Sequence, residues 1–179
     1  MSAIRPARPN ELESVRTFYY DLIDACAADP GFPPWKQGIH PSVEMLSAAI
    51  SSQTLYIREC SGQITAAMIL NDDVPEGYSD GVWLSELAEC EYLVLHLLAV
   101  SPAHRRCGLA REMVRGALDI AKAAGKSALR LDAWSGNHPA HALYRSLGFS
   151  DTGMMRELLP DGTELSFYLF EYPLSGGTL

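Results

Sequence analysis

One stretch constrains this chain more than any other: Val100-Ser101-Pro102-Ala103-His104-Arg105-Arg106-Cys107-Gly108-Leu109-Ala110, where an apolar run passes into a basic loop, then Gly108, then a helical pattern. A strand that feeds a helix in this way leaves orphan backbone N–H groups at the helix start, where the positive end of the helix dipole also lies. That combination favours an anion such as a phosphate. Gly108 and Ala110 keep bulky side chains from standing between the backbone and a ligand. The spacing is Arg-x-x-Gly-x-Ala. Neither G-x-x-x-x-G-K-[ST] nor G-x-G-x-x-G occurs, which argues against a nucleoside triphosphatase and against a dinucleotide fold.

Around this loop the chain alternates short strands and helices. Ile4 to Ala7 reads as a strand, and Asn10 with Glu13 reads as a capping box for a helix whose buried stripe is Leu12, Val15, Tyr19, Leu22, Ile23 and Cys26. Residues 29 to 41 are rich in proline and glycine and form a loop carrying Phe32 and Trp35. A second helix follows from about Pro41 to Ser51, then a hairpin of Thr54–Cys60 and Gln63–Leu70 through Ser61-Gly62. Residues 71 to 90 are acidic and loop-like, with Tyr78 and Trp83 interspersed, and read as a substrate lid or a poorly ordered excursion. Glu91 to Val100 is the most apolar run and should be a central strand. Beyond the Gly108 loop come a helix with Leu109, Met113, Ala117, Ile120, Ala121 and Ala124 on one face and ended by Gly125, a strand from Ser127 to Ala133, and a helix from Asn137 or His138 to Gly148. Phe149–Leu159 and Glu164–Tyr172 pair through the turn signal Pro160-Asp161-Gly162-Thr163, and Ser175–Leu179 is a loose tail.

At 179 residues and 47% apolar content, residues 1–174 should form a single domain with a real core. No apolar run of about 18 residues and no signal-peptide pattern is present, so the expected location is cytoplasmic. Cys26, Cys60, Cys90 and Cys107 lack metal-type spacing and read as reduced thiols. The net charge of −8 is localised: eight acids and no Lys or Arg lie between Glu59 and His104, so that segment carries the whole imbalance. From Arg105 to Arg130 the balance reverses, with seven bases against Glu112 and Asp119. Such an asymmetry suggests two ligands of opposite charge, set against the plainer reading of solvated faces. The acidic total, and the absence of aromatic residues between the bases, disfavour a nucleic-acid partner.

The Arg105 to Ala110 spacing resembles the pyrophosphate-binding motif of the GNAT superfamily of N-acetyltransferases, [Gln/Arg]-x-x-Gly-x-[Gly/Ala]. A second segment, Asn137-His138-Pro139-Ala140-His141-Ala142-Leu143-Tyr144-Arg145-Ser146-Leu147-Gly148-Phe149, is similar to the family's N-x-x-A-x-x-L-Y-x-x-x-G-F. By these segments the resemblance covers roughly residues 91 to 172, and elsewhere it rests on element order. It implies an α/β GNAT fold, a mixed central sheet of about seven strands with helices on both faces. It also implies an N-acetyltransferase moving an acetyl group from acetyl-CoA, its cosubstrate, to a primary amine by direct attack in a ternary complex, with no metal. In the family the fourth and fifth strands splay apart around the pantetheine arm. Its backbone contacts would here fall to Leu98, Ala99 and Val100, and the phosphates to Arg105, Arg106, Cys107, Gly108, Leu109 and Ala110. Asn137, Ala140 and Tyr144 would complete the acetyl-CoA site. The alternative is a non-catalytic acyl-CoA binding or sensing module.

Transfer to an amine needs a neutral nucleophile and a proton for the departing thiolate, since an alkyl amine titrates near ~10.4 and a thiol near ~8.5. The resemblance makes Tyr144 the acid; otherwise it is a core residue beside Leu143 and Leu147. His96 is the candidate base, because His96-Leu97-Leu98-Ala99-Val100 also resembles the strand of arylalkylamine N-acetyltransferases. Period-two alternation puts it on the Val100 side of the strand unless a bulge intervenes, and a buried histidine satisfied by a carbonyl is the alternative. Many relatives carry a base carboxylate two residues earlier, where this chain has Val94, which leaves His96 or water linked to Glu89 or Glu91. Trp35, Tyr78, Trp83, Glu89 and Glu91 are the expected acceptor-binding residues, and the acidic run favours a cationic amine. His138-x-x-His141 has helical metal-pair spacing but no third ligand, and Asn137 reads equally as a helix cap. The acceptor would be a small-molecule or protein amine; a homodimer is allowed, and no membrane partner is expected.

Overall fold

The computed structural model describes residues 4–158 and 162–174. Met1, part of the Pro160–Thr163 turn and the 175–179 tail therefore lie outside the described residues. The elements are β1 (Arg5–Pro6), α1 (Leu12–Cys26), α2 (Val43–Ser51), β2 (Leu55–Cys60), β3 (Gln63–Asn71), β4 (Tyr92–Val100), α3 (Leu109–Ala123), β5 (Ala128–Trp134), α4 (His138–Ser146), β6 (Ser150–Leu158) and β7 (Glu164–Pro173). The strands form one seven-stranded sheet in the order β1-β2-β3-β4-β5-β7-β6. It is mixed: β4 and β5 run parallel, from Tyr92 opposite Ala128 to Leu95 opposite Leu131, while β1–β2, β2–β3, β5–β7 and β7–β6 are antiparallel.

The chain divides into two compact units, one holding residues up to Leu70 with His96–Gly116, the other holding Asn71–Leu95 with the chain from Ala117 onward. In the first, the α1 stripe expected from sequence is buried: Val15, Tyr19, Leu22 and Cys26 pack with Leu46 and Ile50 of α2, Leu55 and Ile57 of β2, and Leu97 and Ala99 of β4. The α1 start differs from expectation. Pro9 opens a 3-10 turn over Pro9–Glu11, and Glu11, not Glu13, reaches back to accept from the Arg8 N–H at 2.6 Å. Glu11 is held there by Arg5, which also pairs with Glu59; the Arg5 guanidinium pulls the Glu11 carboxyl down to about 2. Ser61 (φ +51°) and Gly62 (φ +80°) make the tight hairpin turn between β2 and β3, a conformation in which both central residues are left-handed.

In the second unit residues 71–90 are packed onto the sheet and are not a loose excursion. Tyr78 and the half-buried Trp83 pack with Tyr92 and Val94 of β4, Met155 of β6 and Leu169 of β7. The Arg130 guanidinium lies between the Trp83 and Tyr92 rings, 4.2 and 4.0 Å from their centroids, and donates to the Ser85 carbonyl at 3.0 Å. Buried Glu171 sits 3.6 Å from Arg130 and accepts from the Leu84 N–H at 2.8 Å. Val82 N–H donates to the Thr152 carbonyl of β6 at 2.6 Å. A buried cation between two aromatic faces, with its carboxylate partner also bonded to the loop, ties the segment to β4, β5 and β7.

Candidate active site

In the first unit, β4 carries the residues expected to meet the acyl donor. His96, Leu98 and Val100 are half-buried, while Leu97 and Ala99 are buried, so exposure alternates as a strand requires. Leu97 interrupts the extended backbone with φ +51°, the irregularity that sequence reasoning left open for this strand. Its carbonyl accepts a 2.8 Å hydrogen bond from the buried Tyr19 hydroxyl. β4 then passes through a 3-10 turn at Pro102–His104 into the loop. Arg106 (φ +61°) and Gly108 (φ +80°) both adopt left-handed backbone, and a Cβ at Gly108 would meet nothing within 4 Å. Glycine is needed there for its conformation, and the space beside it is open. The Gly108 carbonyl accepts the Glu112 N–H at 3.0 Å, which makes it the helix cap and leaves the first N–H groups of α3 without helical partners. Arg106, Cys107 and Gly108 are exposed, Leu109 is buried and Ala110 half-buried. The Arg105 guanidinium is committed elsewhere: it donates to Cys26 Sγ at 2.9 Å and lies 3.7 Å from Asp29. Trp35 packs edge-on to Tyr19, Phe32 and His40 rather than standing free.

In the second unit, Asn137 caps α4, its side chain accepting the Ala140 N–H at 3.2 Å. The Tyr144 ring is buried against Phe149 and Phe170, at centroid distances of 5.7 and 5.4 Å. Burial holds the Tyr144 hydroxyl well above its ordinary range, and the negative charge of Asp132 pushes in the same direction. His141 packs on Tyr168 and Phe170, with Nε2 2.9 Å from the Trp134 carbonyl. Glu91 accepts the Ala88 N–H at 2.8 Å, and both Glu89 and Glu91 are exposed. Tyr78 is 2% exposed and donates through its hydroxyl to Asp132 Oδ1 at 3.0 Å. Trp83 donates its indole N–H to the Tyr78 carbonyl at 2.8 Å.

Asp132 escaped sequence reasoning. It stands on β5 on the same face as Arg130 and Trp134, and is half-buried between the buried Leu131 and Ala133. Burial pushes its carboxyl up to about 6, with the Glu157 charge adding to the rise and the Tyr78 hydrogen bond opposing it. The signal was present as two ionisable residues alternating with leucines, Leu129-Arg130-Leu131-Asp132, in a strand otherwise apolar. Among the described residues no group of three or more His, Cys, Asp or Glu side chains could hold a metal ion.

The sequence model of the Acetyltransferase (GNAT) family matches residues 28–149. Over 67 residues, 37% of this chain, the sequence is 43% identical to N-acetyltransferase family 8 member 3 of Rattus norvegicus. That stretch is 29% of the rat protein, so the chain spans well under half the length of this curated relative. The fold matches yncA of Salmonella typhimurium, solved with its cofactor acetyl-CoA, at 19% identity and a TM-score of 0.72, covering 100% of this chain and 97% of that one. It also matches a GNAT-family acetyltransferase of Listeria monocytogenes at 21% identity and a TM-score of 0.73, covering 96% and 94% of the two chains. The α/β architecture with its mixed seven-stranded sheet is the fold shared with these acetyltransferase structures. This chain belongs to the GNAT acetyltransferase family.

Proposed function

We propose that this protein transfers an acetyl group from acetyl-CoA to a primary amine, by direct attack in a ternary complex. The observation that carries the reading is the loop from Arg105 to Ala110, where left-handed Gly108 leaves open space at the start of α3. The N–H groups of that first helical turn, which lack helical partners, suit a pyrophosphate, and no side chain at residue 108 stands over them. Acetyl-CoA is the acyl-donor substrate. In the first unit the backbone of Leu98, Ala99 and Val100 and the 105–110 loop would hold it, with Arg105 and Arg106 both exposed and Arg105 also bonded to Cys26 and beside Asp29; in the second unit Asn137 and Ala140 are the candidates. Tyr144 protonates the departing thiolate. Burial keeps its hydroxyl protonated at neutral pH, so the proton is in place when sulfur leaves, although the same burial makes it a weaker acid than a free phenol. Glu89 and Glu91 are exposed and can meet a cationic acceptor. Tyr78 and Trp83 contribute through Asp132 and Arg130 instead of through free surface.

The test is release of free thiol from acetyl-CoA across a broad amine panel, with melting temperature followed in parallel. Saturating acetyl-CoA at ~100 times its dissociation constant adds about 2.7 kcal/mol of stability. Gly108→Glu should remove that shift in a folded protein, and Tyr144→Phe should lower turnover roughly 10²-fold while keeping the shift. A shift retained in Gly108→Glu would move the donor site elsewhere. Binding without thiol release from any amine would leave an acyl-CoA sensing module.

A further inference from the structure

We infer that Tyr19 is a positioning residue for the acyl donor: its hydroxyl holds the Leu97–Leu98 peptide turned toward α1, which sets the Leu98 N–H to meet the acyl carbonyl of acetyl-CoA. The inference rests on the acetyltransferase reading above, and every residue it uses lies in the first unit.

Within β4 only Leu97 has a positive φ, at +51°. A leucine adopts that conformation at a cost, and it persists where the surroundings over-determine it. Two contacts do so here. The Leu97 side chain is buried with Val15, Tyr19 and Leu46, and the Leu97 carbonyl accepts a 2.8 Å hydrogen bond from the Tyr19 hydroxyl. That bond supplies the partner a buried carbonyl requires once it faces a helix. The Tyr19 ring is itself fixed, with Phe18 and Trp35 edge-on at centroid distances of 5.2 and 6.1 Å. Its neighbours on the buried stripe of α1 are Val15, Leu22 and Cys26, and a phenylalanine would fill the same space. Packing therefore does not need the hydroxyl; the Leu97 carbonyl does.

A trans peptide sets its C=O and N–H antiparallel. With the Leu97 carbonyl directed at Tyr19, the Leu98 N–H points away from α1. Leu98 and Val100 are half-buried, so the turned peptide leads into the part of the strand open to a ligand. When the amine lone pair bonds to the acyl carbon, the carbonyl π pair moves onto oxygen, and an N–H already aimed at that oxygen stabilises the charge. The pair returns as the carbon–sulfur bond breaks. Sulfur leaves with the bonding electrons and gains a proton, nitrogen gives one up, and the products are an amide and a free thiol. Tyr19 touches none of the reacting atoms and acts through the peptide it holds.

The experiment compares wild type with Tyr19→Phe, with p-aminophenylalanine at position 19, and with Leu22→Ala as a destabilised control from the same buried stripe. Each is assayed for the dissociation constants of acetyl-CoA and free CoA, and for kcat and KM of thiol release. Each is also read by the infrared carbonyl stretch of a bound 13C-labelled ketone analogue in which a methylene replaces the thioester sulfur. Tyr19→Phe should weaken acetyl-CoA relative to CoA, which lacks the carbonyl, by roughly 3- to 10-fold, the worth of one neutral hydrogen bond. It should lower kcat roughly 10-fold and raise the frequency of the bound carbonyl. The pH profile of kcat/KM should keep its shape, because Tyr19 moves no proton. Leu22→Ala should lower the melting temperature and leave both the affinity ratio and the carbonyl frequency at wild-type values. An aniline N–H is a weaker donor on an unchanged ring, so p-aminophenylalanine should give intermediate values, and it carries the same readouts should Tyr19→Phe not fold.

Equal weakening of acetyl-CoA and CoA, an unmoved carbonyl frequency, a shifted pH profile, or the same spectral change in Leu22→Ala would each overturn the inference and leave the acetyltransferase reading in place. Wild type that neither binds acetyl-CoA nor releases thiol with any amine would overturn both.

Discussion

The hydroxyl of Tyr19, in the middle of α1, donates a 2.8 Å hydrogen bond to the carbonyl of Leu97, the β4 residue whose φ is +51°. A branched side chain pays for left-handed backbone, and the departure from extended geometry turns a strand carbonyl toward the helix instead of a neighbouring strand. Tyr19 is fully buried, and burial keeps its hydroxyl protonated, so it remains a donor across the working pH range. Tyr19→Phe keeps the ring and strands the carbonyl, at about 1–3 kcal/mol. That corresponds to a melting temperature lower by roughly 2–10 °C in a chain of this size. Calorimetry would read this, and acetyl-CoA titration should show weaker binding if the Leu98–Val100 backbone shifts with it. An unchanged melting temperature would mean that packing alone sets the Leu97 conformation.

Arg130 and Glu171 are 4% and 0% exposed at their side chains, so truncating either leaves an unpaired charge in the interior. Arg130→Met and Glu171→Leu should each cost about 3–5 kcal/mol, whereas the double variant should recover much of that loss. Urea denaturation measures the stabilities. Limited proteolysis within residues 71–90 should rise in the single variants, because Ser85 and Leu84 lose their partners. Additive losses in the double variant would show that the two side chains are not coupled.

Asp132 should also leave a mark on stability. Its carboxyl lies near 6 when folded, above the ordinary 3.8, so the folded state binds the proton more tightly than the unfolded chain does. The favourable contribution is therefore complete below about pH 4 and is lost as pH rises through 6. Asp132→Asn avoids that loss and can still accept from Tyr78. Its stability relative to wild type should grow between pH 4 and 6 and level off above, by an order of 1–3 kcal/mol. Denaturation at pH 4, 6 and 8 checks it; a difference independent of pH would mean the carboxyl titrates normally.

Local signals made most of the fold legible. The α1 stripe from Val15 to Cys26, the Ser61-Gly62 turn, the Gly108 loop and the element order all follow from periodicity and turn chemistry within a few residues of each other. Family and fold followed from the loop and the Asn137–Phe149 segment together. What stayed hidden depends on partners far apart in sequence. The anchoring of residues 71–90 was not legible because their partners, Arg130 and Glu171, lie 45 and 87 residues from the backbone they bind. Asp132 was passed over because its partner, Tyr78, is 54 residues away. The α1 cap shifted because Arg5 competes for Glu11, which the local Asn10/Glu13 pattern does not include.

The segment that closes over Arg130 also reaches the last strand of the sheet. Val82 N–H occupies the Thr152 carbonyl, and a Cβ on left-handed Gly153 would come within 4 Å of the Asp80–Val82 backbone, where β6 already slips register between Asp151 and Gly153. At the opposite margin β1 is two residues long. A sheet with a stub at one border and a bulged, partly occupied strand at the other offers little straight backbone for a foreign strand to copy. The short β1 and the bulge in β6 are the kinds of edge feature that disfavour pairing with a strand of another chain.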